Sequence, residues 1–252
     1  MVPTVCSLSV IIPAFNERKR LPLTLIAIDD RLSRSGYSYE ILVVNDGSTD
    51  DTAEVVSGFS AFIKKLRLID NVIHRGKGAA VKQGTLEAIG DYFLFIDADH
   101  AVSIDHIDQA ILYLHNGYDL VIGSKYIPGA KVHPRPSRIK YFLSTAGNML
   151  IRLLFCTGIR DTQCGFKCFT NEAARKIFPY QRVNGWGFDV EILALAGVFG
   201  FKIKEMPVIV RNSIDTKVRP VSYIKVLLEV LTIRWLLWRD VYKVNDEQQV
   251  KQ

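Results

Sequence analysis

Five consecutive apolar or aromatic residues, Tyr92-Phe93-Leu94-Phe95-Ile96, run directly into Asp97-Ala98-Asp99. A run this short and unbroken predicts a strand buried on both faces, as in the centre of a parallel sheet. Such a strand delivers its last side chains to the crevice where open α/β sheets bind ligands. Two carboxylates placed there cost several kcal/mol of desolvation and repulsion unless a cation compensates them. A hard divalent ion shared with a phosphate group is one partner; a helix cap plus a loop carboxylate is the other use of Asp at a strand end. The triplet alone leaves both uses open.

The rest of the chain alternates in the same way. Strands are predicted at Leu8–Ile12, Glu40–Val44, Leu66–Ile69, Tyr92–Ile96 and Leu120–Ile122, with helices at 21–32, 52–59, 77–88 and 104–115 between them. This rhythm predicts an α/β fold: a doubly wound, mostly parallel sheet with helices on both faces. The loop Lys125–Arg138, with three prolines and several basic residues, marks a change of organisation and a candidate lid. Beyond it lie an apolar helix (141–156), a polar turn (160–165), a short strand (166–169), helices at 171–178 and 188–198, and a strand at 202–210. A terminal helix, Val221–Trp238, carries Ser222, Lys225, Glu229 and Thr232 at helical steps, so it reads as amphipathic with one wide apolar face.

Composition narrows the classes. With 48% hydrophobic and 23% charged residues, wholesale disorder is excluded. The net charge of +6 is concentrated late: residues 1–200 carry 22 Lys/Arg against 20 Asp/Glu, while residues 201–243 carry 9 against 4. An anionic partner for the C-terminal segment follows, whether phosphate, acidic lipid or nucleic acid. No segment has the uninterrupted apolar length of about 20 residues needed to span a bilayer. The first apolar run, Ser9–Ile12, ends at Pro13 and reads as a strand, not a signal peptide. Cys164 and Cys168 share a CxxxC spacing, but no second pair or nearby His completes a zinc site. Buried reduced thiols, and a cytoplasmic compartment, are expected.

Polar clusters follow three of the strands: Pro13-Ala14-Phe15-Asn16-Glu17, Asn45-Asp46-Gly47-Ser48-Thr49-Asp50 and Asp97-Ala98-Asp99. Together with Gly76-Lys77-Gly78 and in this order, they resemble glycosyltransferase family 2, over nearly all of residues 7–130. The resemblance implies a GT-A fold and an enzyme that inverts configuration at the sugar's anomeric carbon. It implies a nucleotide-sugar pocket lined by Pro13, Phe15, Glu17, Asp46, Lys77, Asp97 and Ala98, with Asp46 accepting from a uracil N–H and Glu17 holding base or ribose. Asp99, with Asp97 behind it, would bind the Mg²⁺ or Mn²⁺ that neutralises the diphosphate. His74-Arg75-Gly76-Lys77-Gly78 lacks the full GxxxxGK pattern followed by Ser or Thr, so a P-loop is rejected; a Gly-rich helix start beside Lys77 still suits a phosphate, or is a simple turn.

The C-terminal motifs Gly123-Ser124-Lys125-Tyr126, Arg160–Lys167, Trp186-Gly187-Phe188-Asp189-Val190-Glu191 and Thr216-Lys217 are similar to the polyprenyl-phosphate branch of the family, nearest its glucosyl-transferring, dolichyl-phosphate members. Lys125 stands where those enzymes often have Arg, and Asp215-Thr216-Lys217 where they have Gly-Ser-Lys. The resemblance implies transfer of glucose from UDP-glucose to a polyprenyl or dolichyl phosphate, on the cytoplasmic face of a membrane that the protein touches peripherally. Residues 1–243 then form one domain: a nucleotide-sugar half (1–124), an acceptor half (125–220) and a helix at 221–240 in the membrane interface or packed on the core. A polar tail (244–252) follows. Lys125, Gln163 and Lys167 are candidates for the acceptor phosphate, and Arg211 and Lys217 for catalytic cations. A lipid monophosphate, with a second pKa of about 6, needs no strong base. A saccharide hydroxyl would need one, and Asp189 is the candidate, Glu191 the second. A non-catalytic nucleotide-sugar or nucleic-acid binding module is the remaining alternative, although no nucleic-acid motif is present and no such partner is expected.

Overall fold

The computed structural model describes residues 6–134, 138–155, 158–211 and 220–242. Strands β1 (Ser7–Ala14), β2 (Ser38–Asp46), β3 (Leu66–Asn71) and β4 (Tyr92–Ile96) run parallel in the order β3-β2-β1-β4. Helices α1 (Leu21–Ser33), α2 (Thr52–Ser60) and α3 (Lys77–Glu87) make the crossovers. After β4 a 3₁₀ turn (Ile104–His106) leads into α4 (Ile107–His115) and β5 (Leu120–Ser124). The second half supplies β6 (Lys131–His133), α5 (Arg138–Phe155), β7 (Phe166–Thr170), α6 (Asn171–Ile177), α7 (Phe188–Val198), β8 (Ile203–Pro207), β9 (Ile209–Arg211) and α8 (Pro220–Trp238). The seven-stranded sheet reads β3-β2-β1-β4-β7-β5-β8, and β7 is antiparallel to both its neighbours.

Alternation along the strands builds two cores. Val10, Ile12, Ile41, Val43, Leu94 and Ile96 face one layer, where Leu21, Leu25, Ile28 and Leu32 of α1 meet them. Those four recur at steps of four, three and four, the stripe of a helix with one buried face. Ile11, Leu42, Val44, Phe93 and Phe95 face the opposite layer, formed by α3, α6 and α7. Each fully buried side chain of this kind contributes about 1.5–3 kcal/mol of hydrophobic stabilisation. Helices therefore cover both faces, and every parallel strand ends on the same side of the sheet.

Two expectations need correction. The stretch expected as one strand, 202–210, divides at Val208. Pro207 is the last residue paired with β5, the Val208 N–H still donates to the Ser124 carbonyl, and from Ile209 the backbone turns to other partners, Ile209 N–H to His106 Nε2 and Arg211 N–H to the Ala101 carbonyl. The resulting β9 pairs with β6, a strand inside the segment expected to be only a loop. The wide apolar face of the terminal helix is only partly covered. Val230 and Ile233 of α8 are buried with Ile151, Val183 and Val190, while Ile224, Leu228, Leu231, Trp235 and Trp238 on the other side are exposed. Its polar stripe lies between these faces and does not point away from the protein. Cys6, Cys164 and Cys168 are free and buried, as expected, and burial pushes the Cys164 thiol up to about 12. Cys156 lies outside the described residues. No described helix is long and apolar enough to cross a membrane.

Candidate active site

A groove of about 1210 Å³ opens over the C-terminal ends of β1, β2 and β4. The three polar clusters meet there. Asn16, held at φ 55°, ties the first two together: its Oδ1 accepts from Thr49 N–H at 2.7 Å, and its own N–H donates to Ser48 Oγ at 2.9 Å. Glu17 N–H donates to Thr52 Oγ1 at 2.8 Å. Asp46, at the end of β2, is 3% exposed and accepts from Arg75 N–H (2.9 Å) and Gly76 N–H (2.8 Å), with His74 Nδ1 2.8 Å from Oδ2. These bonds draw the loop before α3 across the end of the sheet and stack His74 on Phe15, ring centroids 4.0 Å apart. A carboxylate oxygen carries two acceptor sites, so Asp46 keeps capacity beyond its own loop.

Asp97 and Asp99 stand on the groove floor. Lys77, the first residue of α3, sets its Nζ 2.7 Å from Asp97 Oδ1. Burial works against the Lys77 charge, but Asp97, Asp189 and Asp99 outweigh it and hold the ammonium above its ordinary range. Asp99 is pushed up, first by burial and then by the charge of Asp97. Arg20 faces the same pair from the side: its guanidinium grips Glu17 at 2.7 and 2.5 Å and reaches Asp99 Oδ2 at 3.8 Å. Asp97 is also seated on Gly165, just before β7. Its backbone N–H donates to the Gly165 carbonyl at 3.2 Å, and a Cβ at that glycine would lie 2.0 Å from Asp97 Oδ2. Among the described residues no cluster of three or more His, Cys, Asp or Glu that could by itself hold a metal ion comes together. Asp97 and Asp99, the latter with its proton affinity raised by burial and by the charge of Asp97, are nevertheless a donor set suited to Mg²⁺ or Mn²⁺, ions that keep several waters and take remaining ligands from a phosphate.

Lys125, Gln163, Lys167, Asp189 and Arg211 do not line this groove. Lys167 lies opposite Phe95 in the β4–β7 ladder and is wholly buried. Its Nζ is 2.5 Å from Asp189 Oδ1 and 2.6 Å from the Cys164 carbonyl, so it serves Asp189, not a phosphate in solvent. Burial pushes the Asp189 carboxyl up, and Lys167 and Lys77 pull it part of the way back. Glu191 is engaged structurally, and away from the groove: it accepts from Arg182 N–H, Val183 N–H and the Tyr242 hydroxyl at 2.9, 2.8 and 2.5 Å. Lys125 pairs with the buried Asp161 at 3.3 Å, an attraction that outweighs burial and raises the ammonium. Gln163 and Arg211 are exposed, and the Arg211 backbone is anchored to Ala101, two residues beyond Asp99. Lys217 lies outside the described residues.

Sequence reasoning missed Arg20, His74, Trp186, Lys225 and Glu229, all of which line the groove. The signal for the last two was present as the polar stripe of α8, read without knowing that it faced the site. Trp186 presents its ring to Lys77 Nζ at 4.8 Å.

The family model described as Glycosyl transferase family 2 matches residues 9–178. Dolichyl-phosphate β-glucosyltransferases are similar throughout. One from Trichomonas vaginalis is 36% identical over 94% of this chain and 73% of its own length. Those of Dictyostelium discoideum and Saccharomyces cerevisiae are 36% and 34% identical, each over 94% of this chain and 77% of the relative. In fold, the chain is similar to glucosyl-3-phosphoglycerate synthase from Mycobacterium tuberculosis, solved with Mn²⁺, UDP-glucose and phosphoglyceric acid. The TM-score is 0.68 at 18% identity, covering 91% of this chain and 80% of that one. The central sheet and its surrounding helices are thus the GT-A arrangement. The chain belongs to glycosyltransferase family 2.

Proposed function

We propose that this enzyme transfers glucose from UDP-glucose to dolichyl phosphate or a related polyprenyl phosphate. The observation that carries the donor half is the groove floor, where Asp97, Asp99 and Lys77 meet beneath Phe15, Glu17 and Asp46. Phe15 and His74 would receive the base and Asp46 and Glu17 its polar edge or ribose. Asp97 and Asp99 would hold the Mg²⁺ or Mn²⁺, which when bound supplies positive charge against the leaving diphosphate. Lys77 adds fixed positive charge at the same end.

The acceptor half rests on the curated relatives, which are dolichyl-phosphate β-glucosyltransferases, and on the state of Asp189. A hydroxyl acceptor needs a base that can take its proton. Asp189 is 2% exposed and bonded to Lys167, which leaves it poorly placed for that work. A lipid monophosphate is already ionised, so its oxygen can attack the anomeric carbon unaided while UDP departs. Residues 125–220 would present it, with Lys125 and Arg211 as candidate phosphate contacts. Lys217, and Gln163 in the turn before β7, complete that set.

The exposed apolar side chains of α8, with Met149 and Leu153 of α5, would rest in the headgroup region of the cytoplasmic leaflet. Trp235, Trp238 and the neighbouring Arg239 and Arg234 fit that setting. The deciding assay offers purified protein a panel of UDP- and GDP-sugars with short-chain polyprenyl phosphate and either metal. Glucolipid made from UDP-glucose is the expected product; silence across the panel would overturn the lipid acceptor.

A further inference from the structure

We infer that Glu229 is a positioning residue that couples the lipid-facing side of α8 to the nucleotide-sugar groove, so that docking at a membrane tightens donor binding. This rests on the reading of the groove as a UDP-sugar site. Glu229 sits midway along α8, on the stripe with Lys225 and Thr232 that forms one wall of the groove. Its Oε2 accepts from Gly187 N–H at 2.6 Å. The 183–187 loop is shaped to admit it. A Cβ at Gly185 would lie 1.9 Å from Glu229 Oε1, and one at Gly187 would lie 2.7 Å from Glu229 Cβ.

That loop reaches the chemistry directly. The Asn184 carbonyl accepts from Gly78 N–H at 2.7 Å, beside Lys77, and Trp186 lies against the Lys77 ammonium. A second tie lies in the turn after α8, where Tyr242 donates to Glu191 and Glu191 in turn accepts from Arg182 and Val183 N–H. The helix and the turn after it thus hold this segment at two points, while α8 exposes Ile224, Leu228, Leu231, Trp235 and Trp238. Arg234 and Arg239, both exposed beside these side chains, with Arg239 over the Trp235 ring, suit an anionic lipid surface as the occupant of that face. A surface that fixes α8 therefore fixes Glu229, Trp186 and the start of α3.

The test measures two quantities with and without phosphatidylcholine–phosphatidylserine vesicles: UDP affinity in Mn²⁺ by calorimetry, and hydrogen exchange over residues 183–188. In the wild type, vesicles should tighten UDP binding about tenfold, a coupling of ordinary size, and slow exchange in the loop. Glu229→Ala should still sediment with vesicles but lose both responses, whereas Glu229→Gln, which keeps an acceptor oxygen, should retain them. Vesicle responses that persist in Glu229→Ala, or are absent from the wild type, would overturn the coupling. Loop protection by vesicles without any UDP binding would instead overturn the donor assignment of the groove.

Discussion

Two Lys–Asp pairs flank Phe95, and they have opposite characters. Lys77 Nζ lies 5.1 Å from the ring centroid on the groove side, and Lys167 Nζ lies 5.8 Å from it in the interior. Lys77 and Asp97 keep 14% and 30% side-chain exposure; Lys167 and Asp189 keep 0% and 3%. The same two residue types thus make an exchangeable pair at the mouth and a sealed pair behind it. An exchangeable pair can trade partners when a diphosphate arrives. A sealed pair can only hold its place, and breaking it leaves a charge with no water to turn to.

The sealed pair should give the largest effect. Lys167→Met strands Asp189 and should lower stability by about 3–5 kcal/mol in urea unfolding. A loss below 1 kcal/mol would show that water reaches Asp189 and would weaken the contrast. At the mouth, Asp99→Asn should leave the unfolding midpoint nearly unchanged and reduce glucosyl transfer by about 10²–10³-fold, the usual scale for losing one element of charge stabilisation. If stability fell in step with activity, Asp99 would belong with the sealed pair. Gly165→Ala sharpens the comparison, because its methyl group would collide first with the Asp97 side chain at the mouth. Turnover should drop about 10²-fold, the scale for misplacing a reacting group by an ångström. Unaltered turnover would mean that the Asp97 position is dispensable. The mildest change is Lys77→Met, expected to raise the UDP-glucose KM about tenfold, or about 1.4 kcal/mol of lost binding, with kcat less affected. A KM unchanged by this substitution would remove Lys77 from the donor site.

The groove floor was legible because its parts are local. Asp46, Asp97 and Glu17 follow directly from strands whose apolar runs are unmistakable, and a parallel sheet gathers such ends by construction. Arg20 was not legible, since Arg18-Lys19-Arg20 reads as a solvated basic turn until Asp99, 79 residues on, is known to be beside it. Lys167 was misread for the opposite reason. Its charge drew attention to phosphate, while its setting, between Phe166 and Cys168 in an apolar strand, already required a buried partner. Asp189, in an equally apolar helix, was that partner. The division of 202–210 into β8 and β9 left no periodic trace, because the break comes from hydrogen bonds to His106 and Ala101, far away in sequence.

The antiparallel placement of β7 has a consequence for how the chain comes off the ribosome. A nascent chain that has reached Ser124 contains the whole Asp97–Asp99 loop, yet one edge of β4 has no neighbour and β5 has none on either side, since both pair with β7. At about 5–20 residues per second the intervening segment takes roughly 2–9 seconds to appear. During that interval the run Tyr92–Ile96, fully apolar and open along one edge, is a template for pairing with other chains. Truncation before Thr170 should therefore yield aggregates, not a smaller working module, and overexpression should depend on chaperones that shield that edge until its missing strand arrives.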